Sequence, residues 1–461
     1  MAGIGFSLRR LTRQDNLSGI FQAYGHAVFS STGPWLATVL SLGSISLFGA
    51  QMTDAATLQS FRLIVIYNFA LSLIAAGPVM MVTTRQIADL VFAKRVDECA
   101  SLFFGAVLLL TFINLPIMLG LYVFYAEFDP ITTAMACINF FLVSGVWLAS
   151  VFLSTLKAYS RVTLAFFVGL VLGATGALLA VSDFGTAGLL AGFSFGITVT
   201  LFVLIGELYA EYPVGRGSYL LIFTAFKNHW ILGLNGFVYN IALWMDKFIM
   251  WFFAPESEMH SSGLISYPDY DSAMFIAYLT VVPGMSLFLV IVETGFFERY
   301  HRYYQDMLNH GTLATIQRNQ QSLISTLNAG MRNMIVLQGS LTVLFVFGAV
   351  KMFELVQTDL TQLFMFRFGV IGSFFQCMLM FSTVMLSYFD LQRITLTLMS
   401  ILTILSTVLT IVSINVGYAY YGLGYMAATG ITFLISYVIL ALFMQKLPFN
   451  AFVKYNKAIT G

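Results

Sequence analysis

Residues 57–84 read TLQSFRLIVIYNFALSLIAAGPVMMVTT. The run carries one formal charge, Arg62, and exceeds the roughly 20 apolar residues that cross a bilayer as a helix. The rest of the chain offers no soluble domain in which to bury it. Apolar residues make up 59% and charged residues 9% of the 461, against roughly 45–50% and about 25% in soluble proteins. So few charges cannot clothe a water-facing surface, and the solvent around most of the chain is lipid. The net charge of +1 points to no nucleic acid partner.

Working outward from that stretch, similar runs predict twelve spans, at 19–49, 57–84, 99–126, 131–156, 162–182, 185–208, 229–254, 271–297, 326–350, 360–388, 394–416 and 421–444. Residues 1–18 are polar and basic, and the long apolar run after them reads as a retained first helix rather than a signal peptide. Amphipathic stretches at about 211–228 and 299–322 interrupt the pattern. The first predicts a linker, the second a helix lying at the interface, with Arg299, Arg302 and Arg318 beside Tyr300, Tyr303 and Tyr304. All but Arg62, Lys247, Lys351 and Arg367 of the 22 Lys and Arg fall in one alternating set of loops. Basic loops stay in the cytoplasm, so both termini are expected there.

Matched features suggest an internal repeat. Pro78 in the second span precedes Lys94 as Pro283 in the eighth precedes Arg299. The connector LSTLKAYSR, ending at Arg161, matches MLSYFDLQR, ending at Arg393. FGTAGLLAG opens the sixth span and YGLGYMAATG opens the twelfth. The expected fold is an all-α polytopic membrane protein of two parallel six-helix lobes. Residues 1–18 form an N-terminal segment, 19–210 the first lobe, 211–228 the linker, 229–445 the second lobe and 446–461 a cytoplasmic tail.

No catalytic site is legible, and an enzyme is not expected. There is no Gly-Lys dipeptide to hold ATP phosphates. Cys99, Cys137 and Cys377 lie far apart, so neither a metal nor another cofactor is expected. Asp269-Tyr270-Asp271 resembles a nucleotide-sugar motif but falls in an outward loop, where it reads as an acidic surface.

The polar stripes say more. In the first span Gln22, His26, Ser30, Gly33, Ala37, Ser41 and Ser44 share one face; in the seventh, Asn228, Asn235, Tyr239, Ala242 and Asp246 do. Each face either lines a wet path or packs tightly on a neighbour, and His26 serves as a packing residue or a proton site. Pro34, Pro78 and Pro283 each remove a helical hydrogen bond, making a kink or a hinge. Charges at bilayer depth cost about 2.5–3.5 kcal/mol near the centre. Arg85 and Glu293, in corresponding spans, are candidates for an inner gate; Arg62, Asp246, Lys247 and Arg367 sit toward the outer side. Tyr239, Trp244 and Tyr278 are candidates for stacking on sugar rings.

Whole stretches carry a closer likeness. MAGIGFSLRRL at the start, STGPWLATVL at 31–40, LWMDKFIMWF at 243–252, the run from Tyr270 to Tyr300 and QKLPFNAF at 445–452 resemble the PelG family within the MOP flippase superfamily. The resemblance implies a role in moving the Pel exopolysaccharide, rich in N-acetylgalactosamine, across the inner membrane. It implies as partners a cytosolic glycosyltransferase like PelF and membrane proteins like PelD and PelE, and it points to Trp244, Asp246, Lys247, Glu293 and Thr294 as motif positions. The expected path lies between the lobes. Two alternatives stand beside it. A cation-coupled small-molecule antiporter of the MATE type would want a buried carboxylate within a lobe. A scaffold that anchors the transferase would need no path.

Overall fold

The computed structural model describes residues 17–155, 159–212, 217–356 and 360–449, with the backbone alone at 17–31, 154–155, 159–160, 293–294, 355–356 and 360. Almost everything described is helix. Nine segments among the described residues are long and apolar enough to cross a membrane. One of them, α5 (Tyr159–Glu211, 53 residues), turns at Gly185 and makes two crossings. α1 (Leu17–Gly49) and α6 (Leu221–Phe253), at 33 residues each, are long enough as well. These segments, with the second crossing of α5 and the length of α1 and α6, leave room for the twelve spans that hydropathy predicts.

The chain divides into two compact units. Unit one is Gly33–Pro268; unit two is Asp269–Gly461 together with the chain up to Thr32. Unit one holds most of α1, α2 (Ala55–Phe92), α3 (Cys99–Met118) with a π-helical turn at Leu119–Tyr125, α4 (Pro130–Thr155), α5 and α6, and ends in a small hairpin of β1 (Glu258–Met259) and β2 (Ile265–Ser266). The expected lobe boundary at 211–228 does not fall where the compact units divide. α6 joins unit one because Gly77 of α2 and Gly236 of α6 bring the two backbones together. A Cβ on Gly77 would stand 2.6 Å from the Gly236 carbonyl oxygen.

Small residues set the packing elsewhere in unit one. Gly173 and Gly176 in the first half of α5 face Gly196 and Gly192 in the second half, with Gly185 (φ +52°) making the turn. Close approach of this kind replaces the hydrophobic drive that helices lack inside lipid. The described part of the first-span stripe also makes packing contacts. Gly33 lies against Thr163, and the Ser41 hydroxyl donates to the Leu170 carbonyl at 3.1 Å.

Unit two contains α7 (Pro268–Leu279), α8 (Val282–Val290), a π-helical turn at Ile291–Phe296, α9 (Phe297–Leu308), α10 (Leu313–Val356), α11 (Leu363–Tyr388), α12 (Gln392–Val416) and α13 (Leu423–Gln445). Gly424 of α13 seats against the Thr410 backbone of α12, and Gly422 (φ +92°) caps α13. The glycine-rich openings matched in the sequence thus do the same job in each unit.

Within the expected linker, residues 221–228 form the first turns of α6, which changes direction at His229 (φ −124°). Residues 299–322 are not one helix. α9 ends at Leu308, His310 turns the chain (φ +56°), the Gly311 N–H closes on the Asp306 carbonyl at 2.7 Å, and Asn319 of α10 bonds back to Asp306. The result is a helical hairpin. α10 has 44 residues, about 66 Å at the α-helical rise, well beyond a roughly 30 Å hydrocarbon core.

Candidate functional site

The densest chemistry in unit one is built by α2 and α6. Their glycine crossing is tied by Asn240, whose side-chain N–H donates to the Gly236 carbonyl at 2.9 Å. Above the crossing, α6 presents Trp244, Phe248 and Trp251 at helical spacings of four and three. The Trp244 and Phe248 rings are stacked, with centroids 6.2 Å apart, and Trp251 meets Phe248 edge-on at 5.5 Å. Tyr67 of α2 closes the group by stacking on Trp251 at 5.0 Å. Trp251 is buried; Trp244 and Phe248 are half-buried.

An ion pair lies beside Trp244. Asp246 is fully buried and Lys247 nearly so. Lys247 Nζ lies 3.1 Å from Asp246 Oδ1, 3.4 Å from the Leu243 carbonyl, and 5.5 Å above the Trp244 ring. Removing either charge would strand the other in a dry setting, which costs several kcal/mol. The pair is held within the packing, with Lys247 against the Trp244 ring.

The β1–β2 hairpin covers this end of α2 and α6. The Tyr67 hydroxyl donates to the Ile265 carbonyl at 2.7 Å, Tyr125 donates to the Gly263 carbonyl at 3.0 Å, and the Glu127 N–H donates to the Ser262 carbonyl at 2.9 Å. His260 Nε2 is 2.8 Å from the Ser266 hydroxyl. Burial holds its imidazole below the usual histidine range, with Glu258 pulling the other way.

At the opposite end, Asp89 of α2 lies 3.2 Å from His229 Nε2 and 3.4 Å from Arg85 Nε. Arg85 therefore has its described partners within unit one. Deeper in the unit lies an uncharged network: Tyr122 donates to Asn68 at 2.6 Å, Asn68 to Asn139 at 2.9 Å, Asn139 to Ser194 at 3.0 Å, and Asn114 to Ser144 at 2.7 Å. Among the described residues, Asp246 and Lys247 are the charged side chains classed as buried.

The candidates from the sequence are thus only partly gathered. Trp244, Asp246 and Lys247 come together, with Pro78 and Tyr239 lower on the same two helices. Pro34 lies within α1, where its carbonyl accepts from Thr38 at 2.9 Å. Arg62 faces a separate cleft. In unit two, Tyr278 meets Tyr425 edge-on at 5.5 Å, and Arg367 Nε donates to the Val346 carbonyl at 3.1 Å. Pro283 stands where α7 and α8 part. Glu293 and Thr294 lie in the π-helical turn, and their side chains, like that of His26, lie outside the described residues. Sequence reading missed Tyr67, Phe248, Trp251 and the Asp89–His229 pair. The spacing of Trp244, Phe248 and Trp251 on one helical face was the available signal.

The comparisons fit this architecture. A MOP superfamily transporter from Pyrococcus furiosus superposes with a TM-score of 0.64 at 12% identity, over 92% of this chain and 96% of that one. An inward-facing MATE transporter gives 0.60 at 13% identity, over 90% and 96%, and an outward-facing one 0.58 at 14%, over 92% and 96%. At such identities the likeness shows the fold. No curated protein matches the sequence. The family comparison decides the rest. Residues 1–452 match PelG, described as "Putative exopolysaccharide Exporter (EPS-E)", and the chain belongs to that family.

Proposed function

We propose that this chain carries a Pel-type exopolysaccharide, rich in N-acetylgalactosamine, across the bacterial inner membrane. It works beside a PelF-like cytosolic glycosyltransferase and PelD- and PelE-like membrane proteins, with both termini in the cytoplasm. The observation that carries this reading is the aromatic group of Tyr67, Trp244, Phe248 and Trp251, with Lys247 of the Asp246–Lys247 pair against the Trp244 ring. Sugar rings present apolar C–H faces and polar edges. Flat aromatic faces suit the first, and a fixed donor and acceptor suit the second. A chain of still-acetylated amino sugars is neutral, so a balanced pair serves it better than a path of one sign. The remaining path candidates are Arg62, Arg85, Tyr239, Tyr278, Pro283, Glu293, Arg367, His26, Pro34 and Pro78, with Arg85 and Glu293 toward the cytoplasmic side.

The antiporter alternative has less support, because the deep network of unit one is built from amides and hydroxyls rather than carboxylates. The deciding experiment is reconstitution in liposomes with and without the transferase and its membrane partners. Polymer entering the lumen only with the partners present, and lost in Trp244→Ala with the protein still folded, supports the reading. Drug–proton exchange by the chain alone favours the antiporter. Neither activity favours the scaffold.

A further inference from the structure

A cleft of about 300 Å³ opens in unit one where α1 ends and α2 begins, lined by Ser46, Ala50, Thr53, Ala55, Leu58 and Arg62. Arg62 lies seven residues into α2, about 10 Å along the axis from Ala55 at the α-helical rise. That depth is near the boundary of headgroup and hydrocarbon. Among the described residues, no carboxylate lies within ion-pair distance of its guanidinium. The acid at the cleft end, Asp54, is committed to capping α2: it accepts from the Thr57 N–H at 3.1 Å, from the Thr57 hydroxyl at 2.8 Å and from the Thr53 hydroxyl at 3.4 Å. A cation at this depth needs an anion from outside the chain.

The neighbouring side chains say which kind. Leu47, Phe48 and Met52, close in sequence to the lining residues, are 66%, 50% and 48% exposed. In a membrane those side chains face acyl tails. A guanidinium with the Ser46 hydroxyl in the same cleft and exposed apolar side chains nearby in the chain matches a phosphodiester joined to hydrocarbon. Arginine holds phosphate through a planar fork of N–H donors. We propose that this cleft binds the phosphodiester headgroup of an anionic phospholipid. The leaflet is the one at the α1–α2 turn, opposite the start of α1. A free phosphate would leave the exposed apolar side chains nearby uncovered.

The test uses the full chain, stripped of lipid in detergent, with native mass spectrometry and thermal melting as readouts. The added probes are dioleoylphosphatidylglycerol, dioleoylphosphatidylcholine and inorganic phosphate. The expected result is retained phosphatidylglycerol and a raised melting temperature for the wild type. Phosphatidylcholine should bind more weakly, and phosphate at equal concentration should do nothing. Arg62→Gln should weaken phosphatidylglycerol binding by about tenfold, and Arg62→Lys by less. Ala50→Trp, at an exposed position, keeps the charge but fills the cleft, and should also lose the lipid. Phosphatidylglycerol retained equally by Arg62→Gln or by Ala50→Trp overturns the proposal. So does inorganic phosphate that protects as well as the lipid.

Discussion

Three helices of this protein carry a glycine next to a proline within the membrane, and two of them, α2 and α8, respond in opposite ways. In unit one, α2 runs from Ala55 to Phe92 straight through Gly77-Pro78. In unit two, Pro283-Gly284 stands at a break: α7 stops at Leu279, and α8 starts at Val282. Both prolines remove the same donor, since neither can bond the carbonyl four residues back. The surroundings decide the outcome. Gly77 is pinned against the Gly236 backbone and Asn240, which holds α2 in line. At Pro283 the chain makes two tighter bonds, from Thr280 N to the Ala277 carbonyl at 3.2 Å and from Val281 N to the Tyr278 carbonyl at 3.1 Å. The Thr280 carbonyl is then taken by the Gln338 side-chain amide of α10 at 2.9 Å. A dipeptide marks where a helix can yield; the neighbour determines whether it does.

The strongest challenge to this contrast is a methyl group. Gly77→Ala would drive a Cβ into the Gly236 backbone, which cannot rotate away. Overpacking of this kind costs about 1–3 kcal/mol and sometimes more, and the upper end is expected at this crossing. Gly284→Ala meets only the ends of the Gln338 and Cys377 side chains, each 2.7 Å from the new Cβ, and about 1 kcal/mol is expected. Melting of the two variants in detergent gives the ranking. Equal losses would mean that the glycine contacts do not distinguish the helices.

This contrast also marks how far the sequence could be read. The spans were legible because hydropathy needs no partner: a run such as 57–84 must be helical in lipid wherever it lies. The turn at Gly185 and the cap at Gly422 were legible because glycine openings are local. The tilt of α6 onto α2 was not, because it depends on Gly77 and Gly236 meeting across 159 positions of chain. For the same reason Trp244, Asp246 and Lys247 could be named from one helix, whereas Tyr67 and the β-hairpin above them could not. The amphipathic stretch at 299–322 misled because its period continues through His310, where one positive φ reverses the chain.

The amide at the break provides the next test. Gln338 is fully buried, its N–H₂ serves Thr280, and its Oε1 has no described partner. Gln338→Leu leaves the Thr280 carbonyl unsatisfied, which costs about 1–3 kcal/mol. Removing the unpartnered Oε1 returns part of that, so a net loss of about 1 kcal/mol is expected. The informative quantity is coupling. In a double-mutant cycle with Pro283→Ala, the restored N–H lets the helix close and makes Gln338 dispensable. Strict additivity would mean that the amide does not sustain the break.

The smallest effect in stability is the proline itself, and it is read best as geometry. Pro78→Ala adds one N–H to a helix that is already continuous, so stability should change by less than about 1 kcal/mol and α2 should keep its course. Pro283→Ala allows α7 and α8 to join. Spin labels at Phe275 and Arg302, both exposed and both in unit two, bracket that break. Labels at Ala56 and Phe92, exposed in unit one, bracket Pro78. The distance across Pro283 should shift in its alanine variant, while the distance across Pro78 should not. If α7 and α8 stay apart after the donor is restored, proline only decorates a break that Gln338 and the packing of unit two impose. If instead α2 moves when Pro78 is replaced, the glycine clamp is too weak to hold that helix, and contact with α6 no longer accounts for its continuity.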